Sequence, residues 1–393
     1  MPNNVSNVNT AMGFQQAATL LNSVVAQATG KAALTATSTA AFISQAQTTL
    51  LNVGVDPIMN AISQVISKTI FSVRPYNARF KGLQRDAVQW GNHVRKISFG
   101  SGNVRDDDRR DLVDGASVDQ QTVCKPQVLQ TNFYSFDTYQ NCYTIFRDQL
   151  NTAFTGPDEF MRFMSGIVTE VSNKLEAFRE GFARTTMINY IAGVHNLGRS
   201  RHLVTEYANA FDIEDSSTVL TDHFDGFIKW LFAELKVMSD RFAERSLMYQ
   251  TNITGHDIYR HTPKEYQRLY VYSPFLAQID ARVLSAVFNP EYLQLGDREA
   301  VSYWQSIQTP AAISVTPSQI DPATGAYAAG NAVALDNVLG ILMDYEGAGI
   351  TQMGEWSAPA PFNARGGYTT TWYHVDMRGW NDMTEKAIVL LLD

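Results

Sequence analysis

Three consecutive aspartates, Asp106, Asp107 and Asp108, stand between Arg105 on one side and Arg109, Arg110 and Asp111 on the other. Carboxylates at that density could hold a divalent cation through oxygen ligands. The interleaved guanidinium groups compete with a metal, so a solvated or intersubunit ion-pair loop is the better reading. His256 and His261 are five apart, off the i,i+4 spacing that sets two imidazoles on one helix face for zinc. Cys124 and Cys142 lack metal spacing and read as buried or idle thiols. His374, between Trp372 and Asp376 in an alternating run, could form a His–Asp contact serving an active site, but satisfied packing is the better reading. Gly100-Ser101-Gly102 lacks the third glycine of a dinucleotide loop. A Walker-type loop, a Gly-x-Ser-x-Gly elbow and a His-Glu-x-x-His pair are all missing. No catalytic residue, cofactor or metal site is expected.

The elements that would carry these groups are dominated by one stretch, 156–196. Its core-facing positions are Phe160, Phe163, Ile167, Val171, Leu175, Phe178 and Phe182, continued by Met187, Tyr190, Ile191 and Val194. Steps of three and four keep one face apolar, and Arg162, Glu170, Lys174, Glu176 and Arg179 take the other. Thr155 as hydroxyl cap, then Gly156-Pro157-Asp158, marks the start. At 1.5 Å per residue the helix would run about 55–60 Å, a spine for an extended molecule.

Before the spine, Val94–Phe99 reads as an outgoing strand, and the charged run follows it. The chain returns through Val118, Val123, Val128-Leu129 and Phe133-Tyr134. Isolated hairpins are marginal in water, so this excursion must rest on something. Residues 1–70 hold only three charges, Lys31, Asp56 and Lys68, with helical spacing in Ala17–Ala26 and Val55–Ile70. A disordered tail usually carries more charge, so an arm laid along another surface, its own or a neighbour's, fits this composition, with a partly ordered leader as the alternative. The aromatic and basic run from Arg74 to Trp90 reads as ordinary ion pairing rather than nucleic-acid contact.

After the spine, Asp222–Arg245 is a second amphipathic helix and Leu247–Ile253 reads as a strand. His256–Tyr272 looks helical around Pro263, and Asp280–Phe288 looks like a short helix. The Pro, Gly, Ala and Thr content of 309–330 marks a long surface loop. Leu335–Tyr345, Tyr368–Met377 and Ala387–Leu392 read as strands. Trp356, Trp372 and Trp380 should close a core there. Helices and strands mix without βα alternation, which is an α+β pattern.

The 393 residues suffice for two or three domains. A net charge of -8 without any Lys/Arg block argues against a surface that grips phosphates. Two cysteines fit a reducing compartment. No charged run precedes an apolar core at the N-terminus, and no apolar run reaches the ~20 residues that span a bilayer. A soluble, cytoplasmically assembled product that does not contact membrane is expected.

Several local sequences resemble the major capsid proteins of small tailed bacteriophages, the podophages of the phi-twenty-nine type. They are Trp90–Phe99, Lys125–Tyr134, Tyr143–Leu150, Gly156–Phe160 and the tail from Trp356-Ser357-Ala358-Pro359 to Leu392. The likeness lies in their order and covers roughly residues 75 to 393. It implies the Hong Kong ninety-seven fold, an α+β capsid architecture. The parts would be an N-terminal arm (1–74), an extended loop with flanking strands (75–150, the excursion itself 92–135) and a peripheral domain with the spine helix (151–200). An axial domain (201–350) and return strands of the peripheral domain (351–393) would follow. Some members crosslink their shells through a Lys–Asn isopeptide bond. Lys96 and Lys125 lie on the loop, but no catalytic acid is near them in sequence, so that chemistry is not carried over.

The function so implied is structural: self-assembly into hexamer-like and pentamer-like rings of an icosahedral virion head around double-stranded DNA. Expected partners are other copies of the chain, a scaffolding protein, a portal protein and decoration proteins, with the loop tip (Arg105 to Asp111) at an intersubunit contact. Two rivals stand beside it. An encapsulin-type nanocompartment would share the fold, and a soluble hydrolase or sugar-binding enzyme would use carboxylates of the aromatic tail.

Overall fold

The computed structural model describes residues 14–29, 38–53, 57–58, 61, 79–85, 93–100, 107–110, 112–118, 121, 123, 125–134, 136–153, 156–255, 257–283 and 297–393. Seven helices are described: α1 (Phe14–Thr29), α2 (Thr39–Val53), α3 (Arg147–Ala153), α4 (Pro157–Asn196), α5 (Leu203–Ala210), α6 (Phe224–Ala243) and α7 (Ser273–Val283). The first strands are β1 (Gln84–Arg85), β2 (His93–Gly100), β3 (Gln127–Tyr134), β4 (Asp137–Phe146) and β5 (Ser200–His202). Then come β6 (Gln267–Tyr272), β7 (Asp297–Val301), β8 (Ile313–Val315), β9 (Ser318–Ile320) and β10 (Tyr327–Ala329). The last are β11 (Val333–Leu335), β12 (Val338–Asp344), β13 (Ala348–Pro359), β14 (Tyr368–Asn381) and β15 (Ala387–Leu391).

The spine is α4, one continuous helix of 40 residues. Its N-cap is the extended Gly156, without a side-chain cap, and Pro157 opens the first turn with Asp158 and Glu159. The expected cap Thr155 lies outside the described residues. The two halves of α4 serve different cores. Phe160, Met161 and Met164, with Phe163 and Ile167 beside them, pack on Leu21, Val24 and Val25 of α1 and Phe42 of α2. Leu175, Phe178 and Phe182 border the main core, which takes in Met187, Tyr190, Ile191 and Val194. Val171 is buried between them. The low-charge arm thus lies, in its described part, on the subunit's own spine; Lys31, Asp56, Lys68 and most of 55–70 lie outside the described residues.

Two sheets flank the spine. A four-stranded sheet, ordered β1-β13-β14-β4, packs one face on α4: Tyr139 of β4 sits 4.4 Å, centroid to centroid, from Phe178. A five-stranded sheet, ordered β5-β15-β12-β6-β7, is covered on both faces. Val338, Ile341 and Met343 of β12 enter the main core, while Leu339 and Leu342 enter a second one with Phe227, Leu231 and Phe242 of α6. That double coverage explains why β12 and β15 read as unbroken apolar runs. β6 and β12 lie so close that a Cβ on Gly340 would stand 2.2 Å from the Tyr270 carbonyl oxygen.

Several expectations are corrected. Leu247–Ile253 is not a strand; isolated bridge residues stand at its two ends, Ser246, which pairs with Arg260, and Ile253. His256–Tyr272 is not helical: after a short turn at Lys264–Tyr266 it becomes β6. Burial on both faces of a central strand outweighed a helix-compatible spacing. The helix expected at Asp280–Phe288 begins earlier, as α7, and 284–288 lie outside the described residues. The loop expected at 309–330 folds as two small hairpins, β8 with β11 and β9 with β10. The tail divides: β13 and β14 join the four-stranded sheet, whereas β15 pairs with β12 and β5. Trp380 is half-buried, but Trp356 and Trp372 are exposed, and among the described residues the wholly buried tryptophan is Trp304, donating from Nε1 to the Val338 carbonyl.

Candidate assembly surfaces

β2 and β3 form a two-stranded antiparallel hairpin with Lys96 opposite Thr131 and Phe99 opposite Val128. Side chains alternate between its faces. Val94, Lys96, Ser98, Leu129, Thr131 and Phe133 belong to the face turned toward the body and are half-buried. Phe133 packs on Trp380 (5.4 Å between centroids) and on Tyr327. Gly100 is buried beside Ile258. The opposite face leaves Ile97, Phe99, Val128 and Tyr134 exposed, Phe99 by 69%. A ribbon with apolar side chains on its solvent face is unfinished as a monomer surface.

The four-stranded sheet presents a second such surface. Cross-strand register sets Trp356 beside His374 and Trp372 beside Cys142, away from α4. The Trp356 and His374 rings stack at 3.9 Å and 9°, and Phe146 meets the Tyr368 ring at 5.7 Å. Thr144 and Thr370 hydroxyls are 3.0 Å apart. Trp356 is 54% exposed, with Trp372 and Phe146 also open to solvent. His374 therefore meets an indole, not the Asp376 carboxylate, and Cys142 is a free, exposed thiol rather than a buried one.

The charged tip is only partly described; Arg105, Asp106 and Asp111 lie outside the described residues, as do Cys124 and His256. Asp107 accepts at 2.8 Å and 3.0 Å from Arg109 Nε, and it accepts from the Arg109 backbone N–H. These hydrogen bonds hold the Asp107 carboxyl below its usual pKa. Asp108, Arg109 and Arg110 form a single 3-10 turn. Arg109 is thus paired within its own loop, while Arg110 is exposed. Val113–Ala116 closes a turn at Gly115, whose φ of 84° suits glycine.

Sequence reasoning missed the anchor of the hairpin. Lys96 Nζ lies 3.1 Å from Asp382, 3.2 Å from Glu346 and in contact with Glu385. Arg260 also reaches Glu385, and donates to Ser98 Oγ at 3.2 Å and Thr384 Oγ1 at 2.9 Å. Burial works against the Lys96 charge, yet Asp382 and Glu385 outweigh it and raise the ammonium pKa above its ordinary value. Burial raises the Glu385 carboxyl. For Asp382 burial pulls the same way, but Lys96 and Arg260 prevail and lower it. The separation of Lys96 from its partners in the tail, 286 positions for Asp382 (382 less 96), hid this cluster. Lys125, by contrast, is exposed. Among the described residues no group of three His, Cys, Asp or Glu side chains could hold a metal ion, and no helix is long and apolar enough to cross a membrane.

A spine helix against one sheet, a second sheet with its own helices and a two-stranded hairpin packed on the body make up the Hong Kong ninety-seven type of capsid fold. Solved phage structures share it. A chain in the capsid structure of Staphylococcus phage Andhra superposes with a TM-score of 0.54 at 8% identity, covering 83% of this chain and 86% of that one. A chain in the structure of the head fiber and inner core protein of native bacteriophage P68 gives 0.51 at 9% identity, covering 83% and 87%. No curated protein matches by sequence. Residues 18–391 match the Phi29-like phage major capsid protein family, and the chain belongs to it. It is a shell-forming structural protein of the virion; its family and structural neighbours are capsid proteins, not enzymes. The hydrolase and nanocompartment alternatives are set aside.

Proposed function

We propose that this chain closes into hexamer-like and pentamer-like rings of an icosahedral head by laying its hairpin on a neighbouring subunit. The observation that carries the proposal is the pair of unfinished surfaces on one chain. The hairpin's outer face offers Ile97, Phe99 and Val128, and the outer face of the four-stranded sheet offers Trp356, Trp372 and Phe146. Apolar faces of this kind gain about 25 cal/mol for each Å² removed from water. Each contact is small, so stability comes from repetition around the shell. The parts then take the roles of arm (1–74), extended loop (75–150), peripheral domain (151–200 with the return strands) and axial domain (201–350).

Assembly takes place in the host cytoplasm, with a scaffolding protein setting curvature, a portal at one vertex and decoration proteins added outside. The contents are double-stranded DNA, held without sequence recognition; a net charge of -8 suits a wall along which phosphates slide. Electron microscopy of the purified chain, alone and with scaffold, tests the reading. Closed particles of ring-forming subunits are expected. A stable monomer at high concentration with scaffold present overturns it. The contact itself is tested by Phe99→Asp with Val128→Asp: a folded subunit that no longer forms particles is expected, and normal particles overturn the assignment.

A further inference from the structure

The buried charges under the hairpin are expensive in a way that adhesion alone does not require. Asp382 is 1% exposed, Glu385 6%, Arg260 11% and Lys96 16%. Replacing such a cluster with packed apolar side chains commonly leaves stability unchanged or improves it. Trp380 and Phe133 already supply apolar contact at this place. Apolar contact is non-directional, so a ribbon held by it alone can slide and tilt. Hydrogen bonds between charged groups fix distance and angle.

The receiving side is itself braced. Arg199 donates to the carbonyls of Met383 (2.8 Å), Glu385 (2.9 Å) and Tyr249 (2.7 Å). Lys386 Nζ donates to the Glu244 carbonyl at 2.6 Å and Ser246 Oγ at 3.1 Å, which ties the turn to the C-terminal end of α6. Asp382 accepts from the Thr384 hydroxyl and backbone N–H, at 2.6 Å and 2.9 Å. The turn 382–386 is thus fixed from both sides before the hairpin meets it. Lys96 and Arg260 then bridge it to β2, through Glu385 and through Ser98.

We infer that the Lys96–Arg260–Asp382–Glu385 cluster is an orientation lock: it sets the angle at which the hairpin leaves the free subunit, and so the curvature of the shell. Lys96 and Arg260 are its positioning residues. This rests on the hairpin being the contact arm, so the experiment reads the lock without assembly. Nitroxides are placed on Cys142 of the sheet and on Gln130→Cys of the hairpin, in a Cys124→Ser background, and the distance is measured by pulsed electron paramagnetic resonance on unassembled subunits. The wild-type pair gives one narrow distance. The charge-conserving double variant Lys96→Met with Glu385→Gln loses that single distance while its melting temperature stays the same or rises. With scaffold it forms shells that have lost uniform diameter. A broad wild-type distribution, or a double variant as narrow as wild type, overturns the lock. If the double variant does not fold, Lys96→Gln, which keeps a donor on β2 but not the charge, is read by the distance alone: a broadened distribution supports the lock, and one as narrow as wild type overturns it. A narrow distance with no particles from any protein would instead count against the proposed function and leave the lock standing.

Discussion

The two sheets of this subunit differ in one respect that organises the rest. The five-stranded sheet is covered on both faces, and every residue of β12 and β15 is buried. The four-stranded sheet has one face packed on α4 and its neighbours, and its other face ends in exposed Trp356 and Trp372. The first is finished within one chain. The second is finished by whatever the shell places on it. Burial on both sides yields stability, and burial on one side leaves a surface whose aromatic content has no monomeric purpose.

Five variants break or sharpen that contrast. The largest effect is expected in the finished region and its scaffold. Leu390→Ala removes a fully buried side chain of β15, at about 2–5 kcal/mol, and should give insoluble or unfolded protein by solubility and circular dichroism. Ala177→Pro, mid-spine on the exposed side of α4, deletes a backbone donor and costs ~3 kcal/mol or more. Soluble Ala177→Pro protein with unchanged circular dichroism would mean that the rod is not one cooperative unit. Phe178→Ala falls lower, toward 3 kcal/mol of the typical ~3–5, because its ring is only half-buried against Tyr139; thermal melts should place it between the first two and wild type.

The unfinished face reverses the pattern. Trp356→Ser with Trp372→Ser should leave subunit stability within about 0.5 kcal/mol, as exposed positions usually do, while particle yield by sedimentation collapses. A destabilised subunit would show that the face is internal packing after all. The smallest effect belongs to the loop tip. Arg105→Glu, Arg109→Glu and Arg110→Glu together should leave the melt unchanged and reduce particle yield only partly, since Arg109 is already satisfied by Asp107. Unaltered assembly would mark the tip as merely solvated.

How much of this was legible follows from the range of the interactions. The sequence alone determined the spine, because a 3.6-residue period over forty positions is a local signal, and the structure ends it within a residue of the expected bounds. It determined the hairpin's two strands, β14 and β15, through period-two alternation or an unbroken apolar run flanked by turns. It misassigned β6, where both faces are buried and the period carries no information, and it gave no sign that the tail divides between two sheets. It put Trp356 and Trp372 in a core, since hydrophobicity cannot distinguish an inward from an outward face of a strand. Those choices belong to tertiary structure alone, as does the Lys96 cluster. A charge reveals its partners only when the fold brings β2, the loop at Arg260 and the turn at Asp382 to one point, and no spacing along the chain records that meeting.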